Sequence, residues 1–180
     1  DPGVLMRGWG ALPKDTFGTS LAAGDINGDG HVDVIVGAPL WDKPQQGKVK
    51  RIASVGRVYV YSGKTGLLMR TFEGEQKGDL FGQAVAVADI DGDGVQDIVV
   101  GAPKADPSKA LKDAGKVYVY SGTSGQLIVS QFGNLRAEQF GARITALPHS
   151  SGQDAIAVAS PRAKVGKLAQ AGSIAVFGFD

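Results

Sequence analysis

The chain repeats itself three times, and that self-similarity limits the folds open to it more than any other feature. One block runs GVLMRGWGALPKDTFGTSLAAGDINGDGHVDVIVGAP and, after a variable loop, GRVYVYSG. A second runs GLLMRTFEGEQKGDLFGQAVAVADIDGDGVQDIVVGAP and then GKVYVYSG. The third, GQLIVSQFGNLRAEQFGARITALPHSSGQDAIAVASP followed by GSIAVFGF, is fainter. Phe-Gly pairs at Phe17, Phe81 and Phe140 are spaced by 64 and 59 residues, so units 1–63, 64–122 and 123–180 use up all 180 residues.

Each unit reads as four short strands. DVIVGAP and DIVVGAP are continuous apolar runs, as expected of strands covered on both faces, and RVYVYSG and KVYVYSG are rich in β-branched and aromatic residues. No segment sustains a 3.6-residue apolar period, so helices should be minor. Four short strands per unit with glycine-bounded turns predict an all-β fold of β-propeller blades. Three blades are too few to close a ring, which typically needs four to eight.

The Phe-Gly pairs, the acidic loops and the closing Gly-Ala-Pro at Gly37–Pro39 and Gly101–Pro103 resemble FG-GAP repeats. Such repeats form the seven-bladed head of integrin α subunits and occur in bacterial secreted proteins. The resemblance covers the whole chain and is full in units one and two. In unit three Ala159–Pro161 reads Ala-Ser-Pro and the acidic loop is lost. The family implies a propeller with calcium in the loop between a blade's first and second strands.

The residues lead to the same ion independently. Oxygen-bearing side chains stand at positions 1, 3, 5 and 9 of each loop: Asp25, Asn27, Asp29 and Asp33, then Asp89, Asp91, Asp93 and Asp97. Paired glycines, Gly28 and Gly30, then Gly92 and Gly94, let the chain curl so that alternate side chains converge. A carbonyl at position 7, from His31 or Val95, would add another oxygen. A hard cation taking six to eight oxygens fits this set, and that is Ca2+. Two carboxylates about 4 Å apart repel by roughly 4 kcal/mol at an effective dielectric near 20, and neither loop contains Lys or Arg. An EF-hand has the same early spacing but needs Glu at position 12, where Val36 and Val100 stand. One such loop could be an ordinary solvated turn; two in register argue otherwise. Loop two, with Asp91 where loop one has Asn27, is expected to bind more tightly. Unit three offers Asp154 as its only carboxylate beside His149, Ser150 and Ser151, so no ion is expected there.

Other motifs carry less. SGKTG at Ser62–Gly66 lacks the first glycine of a phosphate loop, because Val58 holds that place. Lys77-Gly78-Asp79 looks like an adhesion tripeptide but fills the slot of an ordinary connection in the other units. Neither histidine lies near a nucleophile-elbow serine, and no catalytic constellation is seen. The loops between second and third strands gather ten of nineteen basic residues: Lys43, Lys48, Lys50, Arg51, Lys104, Lys109, Lys112, Arg162, Lys164 and Lys167. Surface loops carry lysine for solvation alone, but with Trp41 alongside these residues define a candidate ligand face for an acidic glycan or an acidic protein surface. Trp9 is expected to pack.

A formal charge of +1 disfavours a nucleic-acid binder, the absence of cysteine excludes disulfides, and no apolar run nears the roughly 18 residues of a membrane span. The leading segment Val4–Arg7 matches a fourth-type strand, and Ser173–Phe177 a third-type one. The chain is therefore expected to continue in a longer propeller, to pair with a second copy into six blades, or to remain an open arc with exposed edges. The function expected is a calcium-stabilised extracellular or periplasmic binding and adhesion scaffold, not itself an enzyme. A lectin-like glycan binder, or the propeller of a secreted carbohydrate-active enzyme, is the alternative.

Overall fold

The computed structural model describes residues 8–44, 50–149 and 152–178. They form eleven strands, and no helix occurs among the described residues. The first sheet holds β1 (Ser20–Gly24), β2 (Asp33–Ala38), β3 (Arg57–Tyr61) and β4 (Leu68–Glu73), hydrogen-bonded in that order. The second repeats it with β5 (Ala84–Ala88), β6 (Asp97–Ala102), β7 (Lys116–Tyr120) and β8 (Leu127–Phe132). The third has β9 (Arg143–Leu147), β10 (Ala155–Ser160) and β11 (Ser173–Phe177). All pairings are antiparallel. The all-β blade architecture is as the repeat predicts, with three strands rather than four in the last sheet. Val4–Arg7 lies outside the described residues.

The innermost strands β1, β5 and β9 pack side by side, so the sheets fan out from a shared axis as propeller blades. Burial follows from position in the stack. Every residue of β6 is buried because its sheet lies between two others. β10 instead alternates between half-buried and buried, since only one of its faces meets a neighbour. Ile35, Val58, Phe72, Phe81, Ile98, Val100 and Tyr118 fill the space between sheets one and two. Ala86, Val99, Val117, Val119, Phe140, Ile156 and Val158 fill the space between two and three. Fully burying one such aliphatic side chain stabilises by about 1.5–3 kcal/mol.

The repeated motif is an interlock between blades. Phe81 packs edge-on against Tyr118 of its own sheet (5.2 Å) while its N–H donates to the Val55 carbonyl of the previous one (3.2 Å). Phe140 repeats the second contact on Ala114 (2.9 Å). The Gly-Ala-Pro glycines seat the next turn: a Cβ on Gly37 would stand 2.1 Å from the Gly82 carbonyl oxygen, and one on Gly101 would stand 2.0 Å from that of Gly141. Only glycine allows that approach. Register places Ala159 at the same position of the third sheet, because Ala159 pairs with Ile174 as Gly101 pairs with Val117.

Candidate metal centre

Loop two joins β5 to β6. Gly92 and Gly94 adopt φ of 76° and 84°, so the backbone curls left-handed twice and turns its acidic side chains inward. Asp89 accepts the N–H groups of Gly92 (2.8 Å) and Gly94 (3.0 Å), one on each carboxylate oxygen. Asp91 accepts from the Asp93 N–H (3.2 Å), and Asp93 accepts from the Val95 N–H (2.8 Å) and the Thr123 hydroxyl (3.1 Å). Asp97 sits at the floor, 1% exposed, accepting from Ile90 (2.9 Å) and Gly122 (3.0 Å). Burial pushes its carboxyl pKa up, against the pull of those N–H groups.

Asp89, Asp91 and Asp97 each bring a carboxylate oxygen within 4.8 Å of the others. Among the described residues no Lys or Arg forms an ion pair with any of them. At that separation and an effective dielectric near 20, each pair repels by about 3 kcal/mol. The donor set is all oxygen and no described cationic side chain offsets its negative charge, which fits a divalent hard cation.

Loop one, between β1 and β2, is built alike. Gly28 and Gly30 have φ of 71° and 81°. Asp25 accepts from Asp29 (3.1 Å) and Gly30 (2.8 Å), and the Gly30 N–H holds its carboxyl below the ordinary carboxylate range. Asn27 Oδ1 also accepts from Asp29 (2.9 Å), and buried Asp33 accepts from Ile26 (3.3 Å) and Gly63 (3.0 Å). His31 lies exposed, its Nδ1 3.3 Å from Asp29 Oδ1. The position-9 aspartates thus have a task that spacing does not reveal: each ties its loop to the Ser-Gly turn after the third strand. The recurrence of that dipeptide in both units was the available signal. SGKTG is such a turn, with Gly66 donating to the Ser62 carbonyl (2.8 Å).

The third unit has Ala155 where Asp97 would be, since Ala155 pairs with Leu147 as Asp97 pairs with Ala88. Asp154 accepts from His149 (2.9 Å) and reaches across to the Asp89 N–H (3.0 Å). Ser150 and Ser151 lie outside the described residues.

The candidate ligand face needs correction. Trp41, read from the sequence as a contact residue, is 1% exposed: it packs with Val36, Ala38 and Tyr59, and the Arg57 guanidinium lies 3.7 Å from its ring centre. Among the described residues no sheet packs on the other face of sheet one, and Trp41 covers part of it. Trp9, expected to pack, is 73% exposed. Lys43 is paired with Glu73 (3.0 Å), and Arg51 with Asp42, so both are held within the fold's own network. Lys50, Lys104, Lys109, Lys112, Arg162, Lys164 and Lys167 are exposed; Lys48 lies outside the described residues. The variable loops lean on the connections between blades through their backbone, as where the Lys104 N–H donates to the Asp79 carbonyl (3.2 Å) and the Arg162 N–H to that of Glu138 (3.2 Å). Asp79 itself is buried and accepts from Gln76 (2.8 Å), so the Lys-Gly-Asp tripeptide does not present its carboxylate. Between the leading ends of β1, β5 and β9 lies a polar cleft of about 290 Å3, bordered by Ser20, Gln83 and Arg143, which sequence reading did not single out.

The FG-GAP repeat family model matches residues 17–61 and 81–120. The chain is 38% identical over 124 residues to phosphatidylinositol-glycan-specific phospholipase D of Homo sapiens, covering 63% of this chain and 14% of that enzyme. It is 39% identical over 129 residues to integrin alpha-IIb of Homo sapiens, covering 67% of this chain and 12% of that protein. With integrin alpha-4 of Xenopus laevis it shares 33% identity over 155 residues, 81% of this chain and 14% of the other. The chain therefore spans only about a seventh of the length of these curated relatives. Among the described residues no helix is long and apolar enough to cross a membrane.

Proposed function

Because the chain is an FG-GAP repeat protein, integrin α-like in its blades, we propose that it is a calcium-stapled propeller segment serving as a binding and adhesion scaffold outside the cytosol. The observation that carries this reading is the convergence of Asp89, Asp91 and Asp97 with no Lys or Arg paired to them among the described residues. Loop two would hold the ion through Asp89, Asp91, Asp93, Asp97 and the Val95 carbonyl. Loop one would hold it through Asp25, Asn27, Asp29, Asp33 and the His31 carbonyl. The ion supplies the positive charge that lets these carboxylates stay together beside buried strands. Extracellular modules bind calcium at roughly 10⁻⁴–10⁻³ M, a range that matches a calcium-rich setting.

The partner-binding face lies in the variable loops and the connections between blades, with the exposed lysines favouring an acidic protein or glycan. The ring is completed by further blades, from a longer parent chain or from a second copy. Whichever supplies them, the surface meeting β10 must do without the carbonyl seat that Gly37 and Gly101 provide. A second reading is favoured by the phospholipase D match: the blades are the non-catalytic propeller of a secreted enzyme acting on glycan-bearing or carbohydrate substrates. A lectin-like role is the variant of either reading in which the acidic partner is a glycan.

Thermal unfolding in chelator, in Ca2+ and in Mg2+ tests the central claim. Calcium should raise Tm by several degrees more than magnesium, and Asp91→Ala should reduce the gain. Melts that superimpose in chelator and in millimolar calcium would overturn it.

A further inference from the structure

Given the calcium reading above, on which this inference rests, we propose that the turn after each blade's third strand sets how tightly the neighbouring acidic loop holds its ion. Thr123 tightens loop two, and Lys64 loosens loop one. Neither residue belongs to the loops themselves.

Turns 62–67 and 121–126 are the same structure. The Ser62 N–H donates to the Leu67 carbonyl (2.9 Å) and the Gly66 N–H to that of Ser62 (2.8 Å). Ser121 repeats the first bond to Gln126 (2.9 Å), and Gly125 the second to Ser121 (2.7 Å). Both turns are pinned to their loops alike, with the Gly63 N–H on Asp33 Oδ1 and the Gly122 N–H on Asp97 Oδ1, each at 3.0 Å. A Cβ on Gly63 would collide with the Val32 carbonyl, and one on Gly122 with the matching Gln96 carbonyl. The next residue is Lys64 in the first turn and Thr123 in the second.

Thr123 shows what that position faces. Its hydroxyl donates to Asp93 Oδ2 (3.1 Å), while the Val95 N–H occupies Oδ1 (2.8 Å). Both oxygens of this carboxylate are oriented before an ion arrives, which lowers the ordering cost of binding. In loop one the His31 N–H donates to Asp29 Oδ1 (3.0 Å), and among the described residues no donor meets Oδ2. Lys64 stands in place of the hydroxyl, exposed and in no ion pair among the described residues. Its ammonium therefore competes with a cation at loop one. A unit charge about 7 Å from a divalent ion opposes binding roughly sevenfold in unscreened water, and about twofold at physiological ionic strength.

Arg70 also approaches the second turn, but its guanidinium donates to the Gly122 carbonyl (3.0 Å) and pairs with no loop-two carboxylate among the described residues. Loop two is then the lasting staple. Loop one empties first as calcium falls, by more than the change from Asp91 to Asn27 accounts for.

The test is a Ca2+ titration of the full chain followed by NMR, in low salt and in about 0.5 M KCl, with the Gly30 and Gly94 amides reporting loops one and two separately. Lys64→Gln should tighten loop one about three- to eightfold in low salt and less than about twofold in high salt, leaving loop two unchanged. Thr123→Lys should weaken loop two with the same salt dependence. Thr123→Val, which removes only the hydroxyl, should weaken it about threefold at both salt levels. Calcium binding that Lys64→Gln and Thr123→Val leave unchanged, or a Lys64 effect that high salt does not diminish, overturns this inference and leaves the calcium reading standing. Loops that bind no calcium in the unsubstituted protein overturn both.

Discussion

Asp154 and Asp89 hold each other across two blades: the Asp89 N–H donates to Asp154 Oδ2 (3.0 Å), and the Asp154 N–H donates to the Asp89 carbonyl (2.7 Å). The third unit, without a full set of acidic ligands, contributes its one loop carboxylate to the first residue of its neighbour's. In the preceding pair of blades the corresponding N–H, from Gln96, reaches the Asp25 carbonyl at 3.4 Å with no carboxylate added.

Replacing Asp154 should therefore be felt in loop two. Asp154→Ala removes the acceptor for the Asp89 and His149 N–H groups, at a cost of about 1 kcal/mol for a half-buried site. Tm should fall by about 2–4 °C, and loop-two calcium affinity should fall with it. Parallel melting and calcium titration check both.

The floor and rim aspartates should separate cleanly. Asp97→Ala strands buried N–H groups of Ile90 and Gly122, so it should destabilise the calcium-free protein by about 2–4 kcal/mol. Asp91→Ala, at an exposed position, should leave chelated stability nearly unchanged and weaken calcium binding. Denaturant melts with and without chelator distinguish them; equal effects in chelator would refute the division of labour.

The charge difference between loops can be reversed. Asn27→Asp should tighten loop-one calcium binding about tenfold, since each added carboxylate near the ion contributes on that scale. Isothermal titration should show two unequal sites becoming similar.

The glycine seat should tolerate nothing larger. Gly101→Ala places a Cβ where the Gly141 carbonyl lies 2.0 Å away, forcing sheets two and three apart, and should cost more than about 2 kcal/mol. The reverse change at the third sheet, Ala159→Gly, should cost only about 0.5–1 kcal/mol, the strand penalty of glycine. Chemical denaturation of both variants tests the contrast.

Asp79 should give a pH signature of its own. Burial raises its carboxyl pKa above the ordinary 3.8, with the Gln76 N–H opposing. The folded protein then holds that proton more tightly than the unfolded chain. Its contribution is fully present below about 3.8 and is lost as pH rises through the raised folded value. In chelator, the native protein should gain stability relative to Asp79→Asn as pH falls from neutrality through that window. A constant difference across pH would contradict it.

Local order carried most of what could be read in advance. The three units, the strand runs, the Ser-Gly turns and the two oxygen-bearing loops all follow from spacing within a dozen residues, where side-chain alternation and glycine conformations act directly. Trp41 shows where such reading stops. Its neighbours are loop residues and cations, the surroundings of a contact residue, yet Arg57 and Tyr59 bury it.

The amino-acid sequence by itself determined the blade, its count in this chain and the placement of acidic oxygens, because each is a periodicity the backbone converts locally into strand or turn. Only the tertiary structure decided what each blade does to the next: Gly101 beneath Gly141 and Asp154 on Asp89. Those outcomes depend on residues tens of positions apart meeting at van der Waals or hydrogen-bond range, and no short window of sequence contains both partners.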